Sequence, residues 1–133
     1  MNEFPCGIRH LKLTNHMIYT ATDPQMMKYY NMSVRTAKRI RMIAATTFIV
    51  TKTKESEQVI DAWADCGMTD GCMAPPGSQL RCNGKRLLGR RYAGCHRYDQ
   101  SALHILLHKC SPELHKIYRR TDIIKVCRKS RCW

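Results

Sequence analysis

Eight cysteines stand at positions 6, 66, 72, 82, 95, 110, 127 and 132. Any fold of this chain must join them, bind metal through them or bury them as thiols. Seven of the eight lie from residue 66 onward, together with His96, His104, His108 and His115. No pair has the Cys-x-x-Cys spacing by which two thiolates of one turn grip zinc, so no standard finger is present. The best ligand set is Cys82, Cys95, His104 and His108. The two histidines are four apart on a predicted helix and share a face, with two cysteines from preceding loops completing a tetrahedron. Cys66 and Cys72 can stand in for either cysteine. Three readings stay open: a structural zinc site, up to four disulfides, or unpaired structural thiols.

The compartment bears on that choice. Asn2 and the acidic Glu3 follow Met1, and Pro5, Arg9 and Lys12 interrupt the stretch after them, which is unlike a secretory signal. The longest apolar-leaning run, Met42–Val50, is too short to span a bilayer. The expectation is an intracellular protein (cytoplasm, nucleoid or nucleus), where cysteines favour thiols or structural zinc over disulfides. A secreted, disulfide-stapled protein is the alternative.

Charge narrows the partner. The chain of 133 residues carries 23 basic and 10 acidic side chains, a net of +13. Residues 1–50 are net +5, residues 51–71 net −3 and residues 72–133 net +11. Two basic blocks thus flank an acidic connector, and a field of that size attracts polyanions whatever the fold. Nucleic acid is the expected partner, DNA ahead of RNA. Acidic membrane surface and heparin-like glycans come behind it.

Local signals predict a largely helical N-terminal half. Thr22 or Asp23 caps a helix with Pro24 at its first position and Met26, Met27 and Tyr30 as its apolar stripe. Asn31 tolerates the left-handed backbone of a tight turn. Ser33 then caps a second helix carrying Val34, Ala37, Ile40 and Ala44 on one side and Arg35, Lys38, Arg39 and Arg41 on the rest. Thr46–Thr53 is β-branched and predicts a strand, and Glu55–Asp65 reads as an amphipathic helix through Val59, Ile60 and Trp63. Residues 66–97 leave room for little beyond short strands. Gln100–Cys110 is again helical, and Ser111 and Pro112 open a further helix to about Arg120. Ile123–Val126 reads as a short strand and Arg128–Trp133 as a basic tail.

Met27 to Ile40 resembles the core of helix-turn-helix DNA-binding modules of phage and bacterial regulators and transposases, through Met32, Ser33, Thr36, Arg39 and Ile40. Met27 departs from the usual alanine and Asn31 from the usual glycine. The resemblance implies a reading helix that lays Ser33, Arg35, Thr36, Lys38, Arg39 and Arg41 along a major groove. A second basic stretch interleaves Arg81, Lys85, Arg86, Arg90, Arg91 and Arg97 with Tyr92 and Tyr98, which suits phosphate contacts and base stacking.

No catalytic constellation stands out. Cys95 and His96 are chain neighbours that face apart, and Asp61, Asp65 and Asp70 form no metal triad. The expected fold is mainly α, with a helical N-terminal half and a loop-rich, cysteine-rich C-terminal half holding two short helices. It divides into a basic module at 1–54, an acidic connecting helix at 55–67 and a basic Cys/His-rich module at 68–133. The expected function is non-enzymatic nucleic-acid binding, as a DNA-binding regulator or a mobile-element or viral accessory factor. The alternatives are a secreted cationic toxin or defence protein acting on membranes or receptors, and a zinc-stabilised RNA-binding protein.

Overall fold

The structure is a computed structural model that describes residue 4, residues 6–113 and, by backbone alone, residues 127–128 and 131–132. Strand β1 (Ile8–His10) pairs antiparallel with β4 (Phe48–Val50), and β2 (Leu13–Met17) with β3 (Arg41–Ile43). A 3-10 turn at Ile18–Ala21 follows β2. Helices α1 (Pro24–Tyr29) and α2 (Val34–Ala37) are short, whereas α3 (Lys54–Met68) and α5 (Tyr98–Cys110) are long, with the five-residue α4 (Gly84–Leu88) between them. Near the end, β5 (Cys127–Arg128) and β6 (Arg131–Cys132) pair antiparallel, setting Cys127 opposite Cys132 in the ladder.

The expectation of a mainly α fold with a helical N-terminal half is therefore corrected: that half holds four strands in two small sheets. The decisive departure is at α2. Ser33 caps it as anticipated, its Oγ accepting the Thr36 N–H at 3.1 Å, and Asn31 takes the left-handed turn conformation at φ 55°. The helix nevertheless stops after one turn. Met42 and Ile43 are neighbours and both fully buried, which extended backbone permits because successive side chains point to opposite faces. Strand β3 starts at Arg41 for that reason, and Val34 is left 46% exposed instead of anchoring a reading helix. A helix of four residues has no length to lay Arg35 through Arg41 along a groove.

The longer helices follow the sequence. In α3 a capping box closes the N-terminus, with Thr53 Oγ1 accepting from Ser56 N–H at 3.1 Å and Ser56 Oγ from Thr53 N–H at 2.9 Å. Val59 is buried on its inner face, and Trp63 donates its indole N–H to the Asp99 carbonyl at 3.0 Å. The acidic helix thereby packs on α5.

The α5 helix is the centre of the fold. Every residue from Ser101 to Leu107 is buried, because α3, β3 and the 3-10 turn cover it from different sides. Its apolar partners include Ile8, Ile18, Met26, Ile40, Met42 and Ile43, each fully buried. Among the described residues the buried cluster draws on the 1–54, 55–67 and 68–133 segments alike. Thr22 Oγ1 donates to Ser101 Oγ at 2.9 Å and Ser101 Oγ to the Ala21 carbonyl at 3.2 Å, so the buried hydroxyls are satisfied.

Among the described residues three disulfides complete the frame. Cys6–Cys110 ties the chain before β1 to the end of α5, 104 residues away. Cys66–Cys72 turns the chain back at the end of α3, and Cys82–Cys95 closes a loop around α4. Beside Cys6, Gly7 has φ 63°, and a side chain there would meet the Thr51 carbonyl at 2.8 Å, so only glycine fits. The helix predicted from Pro112 to Arg120 falls outside the described residues after Glu113, and the strand predicted at Ile123–Val126 lies outside them entirely.

A candidate anion-binding cleft

The loop closed by Cys82–Cys95 carries four cations, Lys85, Arg86, Arg90 and Arg91, and its local structure gathers the three arginines. Asn83 caps α4, its Oδ1 accepting the Arg86 N–H at 3.1 Å. After the helix, Gly89 N–H returns to the Lys85 carbonyl at 3.1 Å and Arg91 N–H to the Arg86 carbonyl at 3.1 Å. The chain is thus knotted so that Arg86, Arg90 and Arg91 converge. Arg90 sits in the left-handed region at φ 57°, which costs a side-chain-bearing residue about 1 kcal/mol. The loop then docks on the N-terminal half through Ala93, whose N–H donates to the Thr20 carbonyl at 2.9 Å and whose carbonyl accepts the Asn83 N–H of the same loop at 2.9 Å.

That docking creates a cleft of about 350 Å³ lined by Tyr19, Lys38, Arg86, Arg90, Arg91 and Tyr92. Its two walls come from different segments. The Lys38 ammonium lies over the Tyr19 ring at 4.8 Å, and the Tyr19 and Tyr92 rings are 6.4 Å apart and tilted by 51°. All four cationic side chains belong to exposed residues, and among the described residues no carboxylate forms an ion pair with any of them. Burial, with the Asp23 charge behind it, pushes the Tyr92 hydroxyl above its ordinary value, so it stays protonated as a donor. The Asp23 carboxylate itself caps α1 through the Gln25 N–H at 2.8 Å.

Four of the anticipated nucleic-acid contacts, Lys38, Arg86, Arg90 and Arg91, meet here although they are up to 53 residues apart. The others do not line the cleft. Ser33 and Thr36 are engaged with each other, Oγ to Oγ1 at 2.8 Å, while Arg35, Arg39, Arg41 and Lys85 are exposed elsewhere. Arg97 is half-buried, its Nε among the buried atoms without a hydrogen-bond partner, and its backbone N–H donates to the Ala21 carbonyl at 3.0 Å. Its positive charge and, before that, burial hold the neighbouring His16 down at about 4. Tyr19 was not anticipated: it falls in a stretch with no clean period, and only the docking of the loop gives it a role.

The zinc expectation is corrected. Cys82 and Cys95 are bonded to each other, which leaves neither a thiolate to ligate with. His104 lies inside the core, its Nδ1 accepting the Ile43 N–H at 3.1 Å, whereas His108 is half-buried a turn later. Among the described residues no three His, Cys, Asp or Glu side chains are grouped to hold a metal ion. His104 is turned into the protein against β3.

His96 acts as a brace. It is fully buried; its Nδ1 accepts the Asp23 N–H at 3.0 Å, so the proton sits on Nε2, 3.1 Å from the Met73 carbonyl. Burial lowers its pKa, partly offset by the Met73 hydrogen bond and the Asp23 charge.

Among the described residues no helix is long and apolar enough to cross a membrane. Comparison with protein-family models, with curated proteins and with solved structures gives no match to this chain.

Proposed function

We propose that this protein is a disulfide-stapled, cationic binding protein that holds nucleic acid by its phosphates, with single-stranded segments preferred. One observation carries the reading: the two basic blocks of the chain supply opposite walls of one tyrosine-flanked cleft. Guanidiniums grip phosphate oxygens in a bidentate fork, and an aromatic wall offers bases a stacking surface that single strands expose and duplexes hide. A one-turn α2 speaks against sequence reading in a major groove, so backbone affinity is the expected mode. Three disulfides favour maturation in an oxidising compartment over the cytosol.

The test is fluorescence anisotropy with a labelled oligothymidylate at rising salt. Each phosphate neutralised on a single strand adds about −0.7 to the log–log salt slope. The triple variant R86A/R90A/R91A should make that slope shallower by about 0.7, the loss of the phosphate seated in the cleft, while R35A/R39A, equal in kind but outside the cleft, should leave affinity nearly unchanged. Equal losses in both variants would show diffuse charge attraction and sink the cleft reading.

A second reading has its own observation. Leu80 and Leu88, at 58% and 77% exposure, stand in the same cationic segment, as expected for contact with an acidic membrane. Co-sedimentation with vesicles of zwitterionic lipid containing phosphatidylserine, compared for the protein and L80S/L88S, separates the two.

A further inference from the structure

The cleft holds more charge than one link of a strand can answer. Its volume, about 350 Å³, lies at the small end of ligand sites and has room for a single nucleotide. A phosphodiester brings one negative charge per nucleotide, yet Lys38, Arg86, Arg90 and Arg91 supply four positive charges around that one space. The phosphate at the end of a strand is different. It carries about −1.5 to −2 charges at neutral pH and presents three strong acceptor oxygens.

We propose that the cleft selects a phosphomonoester, the doubly charged terminal phosphate of a strand or nucleotide, over the phosphodiesters within a strand. The proposal rests on the nucleic-acid reading above. Three features support it. First, the donors come from two sides: Arg86, Arg90 and Arg91 from the stapled loop, Lys38 from the end of α2, so a compact anion is surrounded and an extended one is not. Second, the backbone that carries the three arginines is held by the bonds from Gly89 and Arg91 back into α4, so little backbone entropy is lost when they bind. Third, Arg90 keeps a left-handed backbone at φ 57°, a conformation its loop must enforce and one that recurs where a side chain is aimed at a ligand. The Tyr92 hydroxyl, protonated at neutral pH, adds a donor that can bond a phosphate oxygen or the ribose beside it.

The experiment uses the full chain with its disulfides intact. Three labelled oligothymidylates of one length, with a 5′-phosphate, a 3′-phosphate or hydroxyls at both ends, are compared by anisotropy at one salt concentration. A phosphorylated end should bind roughly tenfold tighter than hydroxyl ends, the gain of one further charge-assisted hydrogen bond. The 5′ and 3′ arms identify which end is held. Thymidine 5′-monophosphate and inorganic phosphate, as unlabelled competitors, distinguish a free nucleotide from a strand end as the natural source. R90Q should weaken binding of the phosphorylated strand more than that of the hydroxyl-ended strand and so abolish the advantage of the phosphorylated end, whereas R35A/R39A, outside the cleft, should keep that advantage. Equal affinity for all three strands would overturn the proposal and leave the nucleic-acid reading standing. No binding of any strand would overturn both.

Discussion

The N-terminal half with α5 and the segment between α3 and α5 are held by different forces. The first buries large apolar side chains, Ile8, Ile18, Met42, Ile43, Leu103 and Leu107 among them. The second buries mainly cysteines, Ala93 and a histidine, and its conformation rests on Cys66–Cys72, Cys82–Cys95, the His96 brace and backbone bonds to its neighbours. A segment too polar to form its own core can still present cations rigidly when cross-links restrain it and a packed neighbour receives it. The cleft lies on the seam: Tyr19 and Lys38 belong to the first region, and Arg86, Arg90, Arg91 and Tyr92 to the second.

The largest expected effect tests whether burial alone holds the first region. Replacing Cys6 and Cys110 by serine releases a loop of 104 residues, and chain entropy puts the loss at about 5 kcal/mol. A urea titration showing no change would mean that packing already closes that loop. Next comes Leu103→Ala, in the fully buried stretch of α5, which should cost about 3 kcal/mol or more and lower the urea midpoint without changing its slope.

The Cys82→Ser/Cys95→Ser pair reverses the emphasis. It releases a loop spanning 13 positions, about 3 kcal/mol by the same entropy, and should act locally. Oligonucleotide affinity should fall while hydrogen exchange in α5 stays slow; loosening of α5 to the same extent would erase the distinction between the regions.

Acid should attack the first region. Burial holds His10 at about 4, against 6.5 in the unfolded chain, and His16 is held at about 4 as well. Below the unfolded value the unfolded chain takes up protons that the folded state refuses. Stability is therefore full above pH 6.5 and is lost as pH falls toward 4, on the order of 3 kcal/mol for His10 across that window. His10→Gln should flatten the fall of Tm over that range, and a Tm independent of pH in the parent protein would contradict the burial of both rings.

The smallest effect is the most diagnostic for the cleft. Arg90→Gly relieves a left-handed backbone and should raise stability by up to about 1 kcal/mol while weakening strand binding. Loss of both would mean that Arg90 is structural.

Much of the helical content was legible because its causes are local. Asp23 and Pro24 start α1, Asn31 turns the chain, the Val59–Trp63 spacing places α3, and the leucines after Ser101 place α5. What misled was also local. Ser33 with the spacing of Val34, Ala37, Ile40 and Ala44 has a helical period, but pairing of β3 with β2 and burial of Met42 and Ile43 on opposite sides outweigh it. His104 and His108 lie four apart on α5, yet nothing within α5 indicates that His104 would be turned into the core.

By itself the sequence determined the charge, its division into two basic blocks around an acidic helix, and the caps of α1 and α2 with the turn at Asn31, since each depends on neighbours within a few positions. Only the tertiary structure decided how six cysteines pair, that the Ser101–Leu107 stretch of α5 is covered on all sides, and that Lys38 and Arg86, Arg90 and Arg91 line one cleft. Those outcomes depend on contacts between residues tens of positions apart, whose energies come from packing and loop closure and leave no periodic mark on the chain.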